Sequence, residues 1–203
     1  MVTGLIIMVS VLVPLVVYEV GLLITRKSKF KFPMKLKNWW ISIHIFFTAV
    51  WIGGALGSLL LLYITTITTN YELIYAAHLF LDFFDKYLNI PGALGCLVTG
   101  IVLTLRTHWG ITKYYWIMAK LFVNIGVIYL GGSFIDNWAH HTLELIENDR
   151  NILKNPAYLH DRQMLIIGFF IALSALIFAV VISKFKPWGK RKRLNLDLNF
   201  NKA

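Results

Sequence analysis

Residues 164–183, MLIIGFFIALSALIFAVVIS, form a run of apolar and small side chains without one charged residue. A hydrophobic stretch of about 18 or more residues can cross the hydrocarbon core of a bilayer as a helix. Hydrophobic residues make up 58% of the 203 positions and charged residues only 15%, whereas roughly a quarter of the residues in a soluble domain are charged. The sequence therefore predicts an all-α integral membrane protein and excludes the water-soluble fold classes.

Five apolar segments of sufficient length follow one another along the chain. They run over about Val2–Thr25, Asn38–Thr65, Tyr75–Arg106, Tyr114 to beyond Trp138, and Met164–Phe185. The first segment lacks the basic start and the small-residue cleavage site of a signal peptide, so we predict that it is retained as an anchor. We expect a single antiparallel bundle of about five transmembrane helices over residues 1–188, followed by a polar basic tail over residues 189–203.

Basic residues are concentrated in two places along the chain. The connection RKSKFKFPMKLK after the first segment holds six of them and KFKPWGKRKR near the end holds six more, whereas TTITTNYE holds none. Because cytoplasmic loops carry the excess of Lys and Arg, we predict that the N-terminus is outside and the C-terminus inside, in a multi-pass protein of a prokaryotic plasma membrane. The net charge of +10 then indicates contact of the basic loop and tail with the inner leaflet, not a nucleic-acid partner.

The third and fourth segments are longer than a bilayer requires. From Tyr75 to Arg106 the chain has 32 residues, which span roughly 48 Å as a helix, against a hydrocarbon core of about 30 Å. Both helices are therefore predicted to project beyond the outer face, and Pro91 is expected to kink the third. Small residues mark the expected close helix contacts: Gly53, Gly54, Gly57, Gly92, Gly95, Gly100, Gly131 and Gly132.

An ionisable imidazole, His44, lies in the otherwise apolar second segment. Trp51 follows two helical turns later on the same face, and Lys120 in the fourth segment lies at a similar predicted depth. Ionisable groups are costly in lipid and usually face the bundle interior. His44 is either a packing histidine bonded to a neighbouring helix or an axial ligand of haem iron. Lys120 either extends to the inner headgroups or lies beside His44.

The run HIFFTAVWIGG, residues 44–54, resembles the second-helix signature of the HemJ-type protoporphyrinogen oxidases and the CopD copper-resistance membrane proteins. The stretch YLNIPGALGCLVTGIVLTL is similar to their proline-containing third helix, and YYWIMAKLFVNI is similar to their Trp-x-x-x-Lys-Leu element, here Trp116 and Lys120. The resemblance covers about half of the chain, from Trp39 to Gly132.

This resemblance implies a haem b-associated membrane fold with His44, Lys120 and Trp51 as the cofactor-binding residues. The chain departs from the HemJ type because it continues ALGSLLLLY after the glycine pair, and the Thr99-Gly100 step is closer to the CopD side. The departure weakens the implication of porphyrinogen chemistry and leaves that of cofactor binding.

A second group of ionisable side chains lies near the outer ends of the third and fourth segments. It contains two i,i+4 pairs, His78/Asp82 and Asp136/His140, with His141 and Glu144 as neighbouring candidates. If the two helices are antiparallel about a turn near residues 109–110, the two pairs lie at matching heights and can converge. Two nitrogens and two oxygens suit zinc, copper or iron. The alternative interpretation is a solvated polar stripe on two projecting helices.

Three functional hypotheses follow from these patterns. The first is a haem b-binding redox membrane protein, an oxidoreductase that exchanges electrons with quinone, oxygen or a porphyrinogen. The second is a copper- or zinc-binding or transport protein that uses the outer His/Asp group. The third is a non-catalytic small subunit of a larger membrane complex, with homo-oligomers as another form of assembly. The sequence contains no Gly-rich phosphate loop, Ser-His-Asp order or HExxH motif that would indicate another enzyme class.

Overall fold

The computed structural model describes residues 31–107, 109–110 and 113–189. Within this part of the chain, four helices are long and apolar enough to cross a membrane. They are α1 (Met34–Ile67), α2 (Tyr71–Arg106), α3 (Tyr115–Asn148) and α4 (Pro156–Phe185). The predicted first segment, Val2–Thr25, and the tail beyond residue 189 lie outside the described residues, so five crossings and a basic tail stay predictions.

The helices alternate in direction. α1 and α3 run from the end of the bundle that holds His44 to the end that holds His78, and α2 and α4 run back. These ends are called the His44 end and the His78 end. By the distribution of basic residues, the His44 end is the one that we predict to face the cytoplasm.

Two of the helices begin at asparagine caps. The Asn70 side chain accepts a hydrogen bond from the N–H of Leu73 at 3.3 Å, at the start of α2. Asn155 accepts from the N–H of Ala157 at 3.0 Å, and Pro156 occupies the first helical position of α4, where an N–H has no partner within the helix. Both helices therefore begin before the predicted apolar segments do, and their first turns mix polar and apolar residues.

α2 and α3 each contain one π-helical turn. The turns are Asp85–Asn89 in α2 and Gly131–Ile135 in α3. A π-turn holds one residue more than an α-turn, so side chains beyond it lie on a different face from the one that a continuous α-helix predicts. Pro91 follows the first of these turns and lacks the N–H that an α-helical bond would need. The irregularity of α2 thus lies just before Pro91.

Small residues allow α1 and α2 to pack closely. A Cβ on Gly92 would lie 2.8 Å from the Cα of Trp51, and Gly95 lies directly against the ring of Phe47. These positions confirm the prediction that glycines mark close helix contacts. The prediction is wrong for three glycines whose added Cβ would meet nothing within 4 Å: Gly53, Gly131 and Gly132.

Buried side chains form successive clusters along the bundle, while large apolar side chains cover much of its surface. The cluster nearest the His44 end contains Trp51, Ala93, Cys96, Val127, Ala172 and Leu176. On the surface, Phe122 is 72% exposed and Phe170 is 65% exposed. Lipid can cover such an apolar surface without the free-energy cost of exposing it to water. The four apolar helices are therefore compatible with a membrane protein.

Candidate cofactor site

A cavity of about 550 Å³ lies between the four helices at the His44 end. Small-molecule and cofactor sites typically enclose about 300–1,000 Å³ and are mostly apolar, with a few polar groups that fix orientation. Apolar side chains from all four helices dominate the lining, and its polar members include His44, Thr48, Cys96, Lys120, Asn124 and Ser183. The cavity therefore has the size and character of a cofactor site.

A defined hydrogen-bond chain holds the His44 ring. Nδ1 of His44 lies 2.8 Å from Oγ1 of Thr99 on α2. The Thr99 hydroxyl donates its proton to the carbonyl oxygen of Gly95 at 2.6 Å, so it can only accept from the imidazole. Neutral His44 therefore carries its proton on Nδ1, and its Nε2 presents a lone pair. Histidines that bind metal ions are fixed in the same way by a hydrogen bond from the other ring nitrogen.

The Thr99-Gly100 step has a separate role for each residue. Thr99 is 2% exposed and orients the imidazole. Gly100 provides space, because a Cβ on it would lie only 3.3 Å from Cε1 of His44. A side chain at position 100 would therefore press on the ring that Thr99 orients.

Lys120 lines the same cavity as His44. Its Nζ donates to Oγ of Ser183 on α4 at 3.2 Å and lies 5.9 Å from the centroid of the Trp116 ring. It also acts electrostatically on His44 and on Cys96. Lys120 thus shares a cavity with His44, while its contact with Ser183 near the end of α4 is compatible with both alternatives for this side chain.

Cys96 links the polar groups of the cavity wall. Its Sγ accepts a hydrogen bond from Nδ2 of Asn124 at 3.5 Å and lies 3.4 Å from Oγ1 of Thr48. Oδ1 of Asn124 is buried and has no hydrogen-bond partner among the described residues, although buried acceptors in proteins are usually satisfied by protein, water or a ligand. Sequence analysis missed Thr48 and Asn124, although each follows a candidate residue by four positions and so shares its helix face.

Trp51 is not among the described residues that line the cavity. It is 5% exposed, its backbone packs on Gly92, and it belongs to the core cluster. Ile52, the next residue along α1, does line the cavity, so Trp51 lies at the depth of the cavity but on the face of α1 that packs on Gly92. The cofactor-binding role predicted for Trp51 therefore has no geometric support.

His78, at the opposite end, is a packing histidine. Its Nδ1 lies 3.4 Å from Oγ1 of Thr142, and its Nε2 lies 3.3 Å from the hydroxyl of Tyr158. The Thr142 hydroxyl donates to the carbonyl of Ala139 at 2.8 Å, so it accepts from Nδ1–H, and Nε2 accepts from Tyr158. Both ring nitrogens of the buried imidazole are thus used within the protein.

The other members of the predicted outer quartet lie around Asp85. Asp82, Asp136 and His140 all act electrostatically on Asp85. Asp82 accepts from Lys86 at 2.8 Å, and Nε2 of His140 lies 3.4 Å from Asp136. Within the described ranges, no group of three or more His, Cys, Asp or Glu side chains is placed to hold a metal ion. Three of the four side chains therefore gather, but not as a ligand set.

His78 does not lie with the other three members of the predicted outer quartet, because α2 and α3 pack in a different register from the predicted one. Sequence analysis placed it opposite His140, whereas its partner on α3 is Thr142, two positions further along. The prediction assumed uniform α-helices about a turn near residues 109–110. Each helix has one π-turn between this contact and that turn, at Asp85–Asn89 and Gly131–Ile135, so the two extra residues cancel in height but change the faces that the helices present. At the His78 end, the faces of α2 and α3 that meet therefore differ from those that uniform α-helices would bring together.

His141, the fifth predicted metal ligand, belongs to a different contact. Its Nδ1 is hydrogen-bonded to one carboxylate oxygen of Asp161 on α4, and Nδ1 of His160 lies 3.0 Å from the other oxygen. Asp161 is buried, and the side chains of both histidines are more than half exposed. This contact joins α3 to α4.

No protein-family model, curated protein or solved structure matches this chain. The resemblance to the HemJ and CopD proteins therefore stays a prediction from the motifs. Because one fold can carry many functions, the function has to be argued from the cavity and its side chains.

Proposed function

We propose that the protein binds haem b in the cavity at the His44 end, with His44 as an axial ligand of the iron, and acts as a membrane redox protein. The observation that carries the proposal is the hydrogen-bond chain from Nδ1 of His44 through the Thr99 hydroxyl to the Gly95 carbonyl. It leaves Nε2 as the nitrogen with a lone pair on a residue that lines a cofactor-sized cavity. Neutral imidazole is a common protein ligand of haem iron.

The chemistry of the cavity suits haem b. The macrocycle of haem is apolar, and the lining contributed by α1 to α4 is mostly apolar. Its propionates are negatively charged, and Lys120 contributes a positive charge beside His44. Each of these groups is compatible with an iron porphyrin that carries carboxylates.

When bound, haem b supplies one-electron redox chemistry. The chain would supply the binding and the environment: His44 would hold the iron, and Thr99 would fix the orientation and tautomer of the imidazole. The apolar lining would limit the access of water, and the positive charge of Lys120 would favour the reduced, more negative state of the site. The proposed electron partner is a quinone, oxygen or a porphyrinogen.

An absorption spectrum tests the proposal directly. The full chain is expressed with a haem precursor and purified in detergent, and haem is quantified as its pyridine complex. We expect a Soret band and about one haem per chain in the wild type, and loss of both in His44→Ala. His160→Ala is the control, because the His160 side chain is 61% exposed and lies at the opposite end.

Two results would contradict the proposal. Wild-type protein that shows no Soret band, even after incubation with haemin, would refute haem binding. A band of unchanged position and intensity in a folded His44→Ala variant would refute the ligand.

A further inference from the structure

Two lysines approach the same aromatic side chain, Trp116, at the cavity. Nζ of Lys120 and Nζ of Lys186 are each 5.9 Å from the centroid of the indole ring. Lys120 belongs to α3, whereas Lys186 follows the last residue of α4. Two chain segments thus bring their ammonium groups to one aromatic side chain, at a distance at which each cation interacts with the ring.

The conformation of Lys186 ends α4 at this point. Its φ is 48° and its ψ is 52°, and it is the one described residue other than glycine with a positive φ. Its backbone N–H donates to the carbonyl of Ile182 at 2.9 Å. This left-handed conformation at a helix end is more often supplied by glycine, which has no Cβ to strain. At Lys186, this left-handed conformation ends the helix, and the lysine side chain lies near Trp116.

The positive charges of the cavity have no negative partner in the described part of the chain. Lys120, Lys184 and Lys186 line the cavity, and no Asp or Glu in this part of the chain does so. Lys120 donates to a neutral hydroxyl, that of Ser183. Like charges that share an apolar cavity repel one another more strongly than they do in water, and an anion placed between them removes this repulsion.

We propose that Lys120 and Lys186, which both approach Trp116 and line the cavity, bind the carboxylate of an amphiphilic ligand whose apolar body fills the cavity. The site would select an acid over its ester and would orient the ligand with its acidic end at Trp116. The assignment of that acid to the propionates of haem b rests on the proposed function. The carboxylate subsite itself rests on the three lysines and the absence of a described acidic residue from the lining.

The first experiment compares haem b with its dimethyl ester, in which both carboxylates are masked. Each is titrated into haem-free, detergent-purified protein, and binding is followed by absorbance. We expect the ester to bind about tenfold more weakly or worse, the lower end of what a charge-assisted hydrogen bond contributes. Lys186→Met and Lys120→Met should weaken haem b binding and leave ester binding unchanged. Lys154→Met, at the His78 end in an exposed position, is the control.

The second experiment does not depend on haem. A fluorescent polyene fatty acid and its methyl ester are titrated into the same variants, and laurate and dilauroyl phosphatidylglycerol serve as competitors. We expect the acid to bind more tightly than the ester, to lose this preference in Lys186→Met and Lys120→Met, and to be displaced more readily by laurate than by the phospholipid.

The outcomes separate this inference from the proposed function. Failure of haem b and its ester to bind, together with a lysine-dependent preference for the fatty acid, would overturn haem binding and support the carboxylate subsite. Equal affinity for acid and ester in both experiments would overturn the subsite while leaving haem binding supported if haem b binds. Displacement by the phospholipid but not by laurate would assign the lysines to lipid phosphate and overturn the carboxylate subsite.

Discussion

Gly92 of α2 lies directly against the backbone of Trp51 in α1. A Cβ on Gly92 would come within 2.8 Å of the N, Cα and Cβ atoms of Trp51. Because backbone atoms cannot swing away as the tip of a side chain can, Gly92→Ala must push α1 and α2 apart. We expect the free energy of unfolding to fall by about 1–3 kcal/mol, measured as a lower thermal midpoint by fluorescence-detected size-exclusion chromatography in detergent.

Gly53→Ala is the control for this prediction. A Cβ on Gly53 would meet nothing within 4 Å, and alanine favours a helix over glycine. We expect its thermal midpoint to equal or exceed that of the wild type. If Gly92→Ala were as stable as Gly53→Ala, the close contact between Gly92 and Trp51 would be wrong.

Thr99→Val should weaken the proposed haem binding without removing the proposed ligand, His44. Valine has nearly the shape of threonine but cannot accept the proton of His44 Nδ1, which the Thr99 hydroxyl accepts at 2.8 Å. Loss of a hydrogen bond to the second nitrogen of a metal-binding histidine typically costs about 10- to 100-fold in affinity. We expect a loss of this size in a haem titration and a shifted reduction potential of the remaining haem.

Two variants show whether this effect comes from the hydroxyl. Thr99→Ser should restore most of the affinity because it restores the acceptor. Thr66→Val should have no effect: the Thr66 hydroxyl also donates to a carbonyl in its own helix, that of Tyr63, but it is exposed and lies at the opposite end. Equal haem affinity in Thr99→Val and wild type would remove the argument for the His44 tautomer.

Tyr158→Phe should destabilise the fold at the His78 end. The Tyr158 hydroxyl lies 3.3 Å from Nε2 of the buried His78 imidazole and also interacts with Arg162 and Thr65. Removal of one partner leaves a buried acceptor unsatisfied, which costs about 1–3 kcal/mol. We expect a lower midpoint in the same chromatographic assay and unchanged haem binding, because the cavity lies at the opposite end of the bundle.

Tyr75→Phe provides the comparison. The Tyr75 hydroxyl contacts an exposed carboxylate, that of Glu147, at 3.4 Å, so water can replace the lost hydrogen bond. A loss of stability in Tyr75→Phe as large as in Tyr158→Phe would indicate that the packing histidine is not the cause.

Fusions can test the predicted orientation of the membrane protein. Alkaline phosphatase is active only outside the cytoplasm, so it should be active when fused after Thr69 or Asp149 and inactive after Gly110. Green fluorescent protein should give the opposite pattern. The expectation rests on the basic residues near the His44 end. Activity at Gly110 would place the His44 end outside and reverse the predicted topology.

The sequence predicts the four described helices well, because their signal is the length of each apolar run. It predicts their first turns less well. α4 begins at Pro156, eight residues before the predicted start at Met164. Its first two turns, PAYLHDRQ, contain polar and charged residues as well as apolar ones, and they begin at the cap of Asn155, which a hydropathy pattern does not detect. Helix caps and hydropathy are thus independent sources of information about the same boundary.

The candidate site was predictable where it depends on a rare residue in an apolar run. His44 and Lys120 are such residues, and both line the cavity. The orienting role of Thr99 was not predictable, because threonine is common in membrane helices and its role depends on which residue of α1 it faces. Lys186 was missed because it belongs to the basic stretch near the end of the chain, and sequence analysis had already assigned the charges of that stretch to membrane topology.

Each π-turn divides its helix into two parts, and the side chains of one part can change position without a change in the other part. Deletion of one residue within Asp85–Asn89 would restore an α-helical turn and change the angular phase of the preceding half of α2 by about 100°, the rotation per residue of an α-helix. His78 would then point away from Tyr158, whereas Thr99 and the rest of the cavity wall, on the far side of the deletion, would keep their positions. Natural variation in the length of these turns would therefore change which polar side chains meet at the His78 end, and it would leave the cavity at the His44 end unchanged.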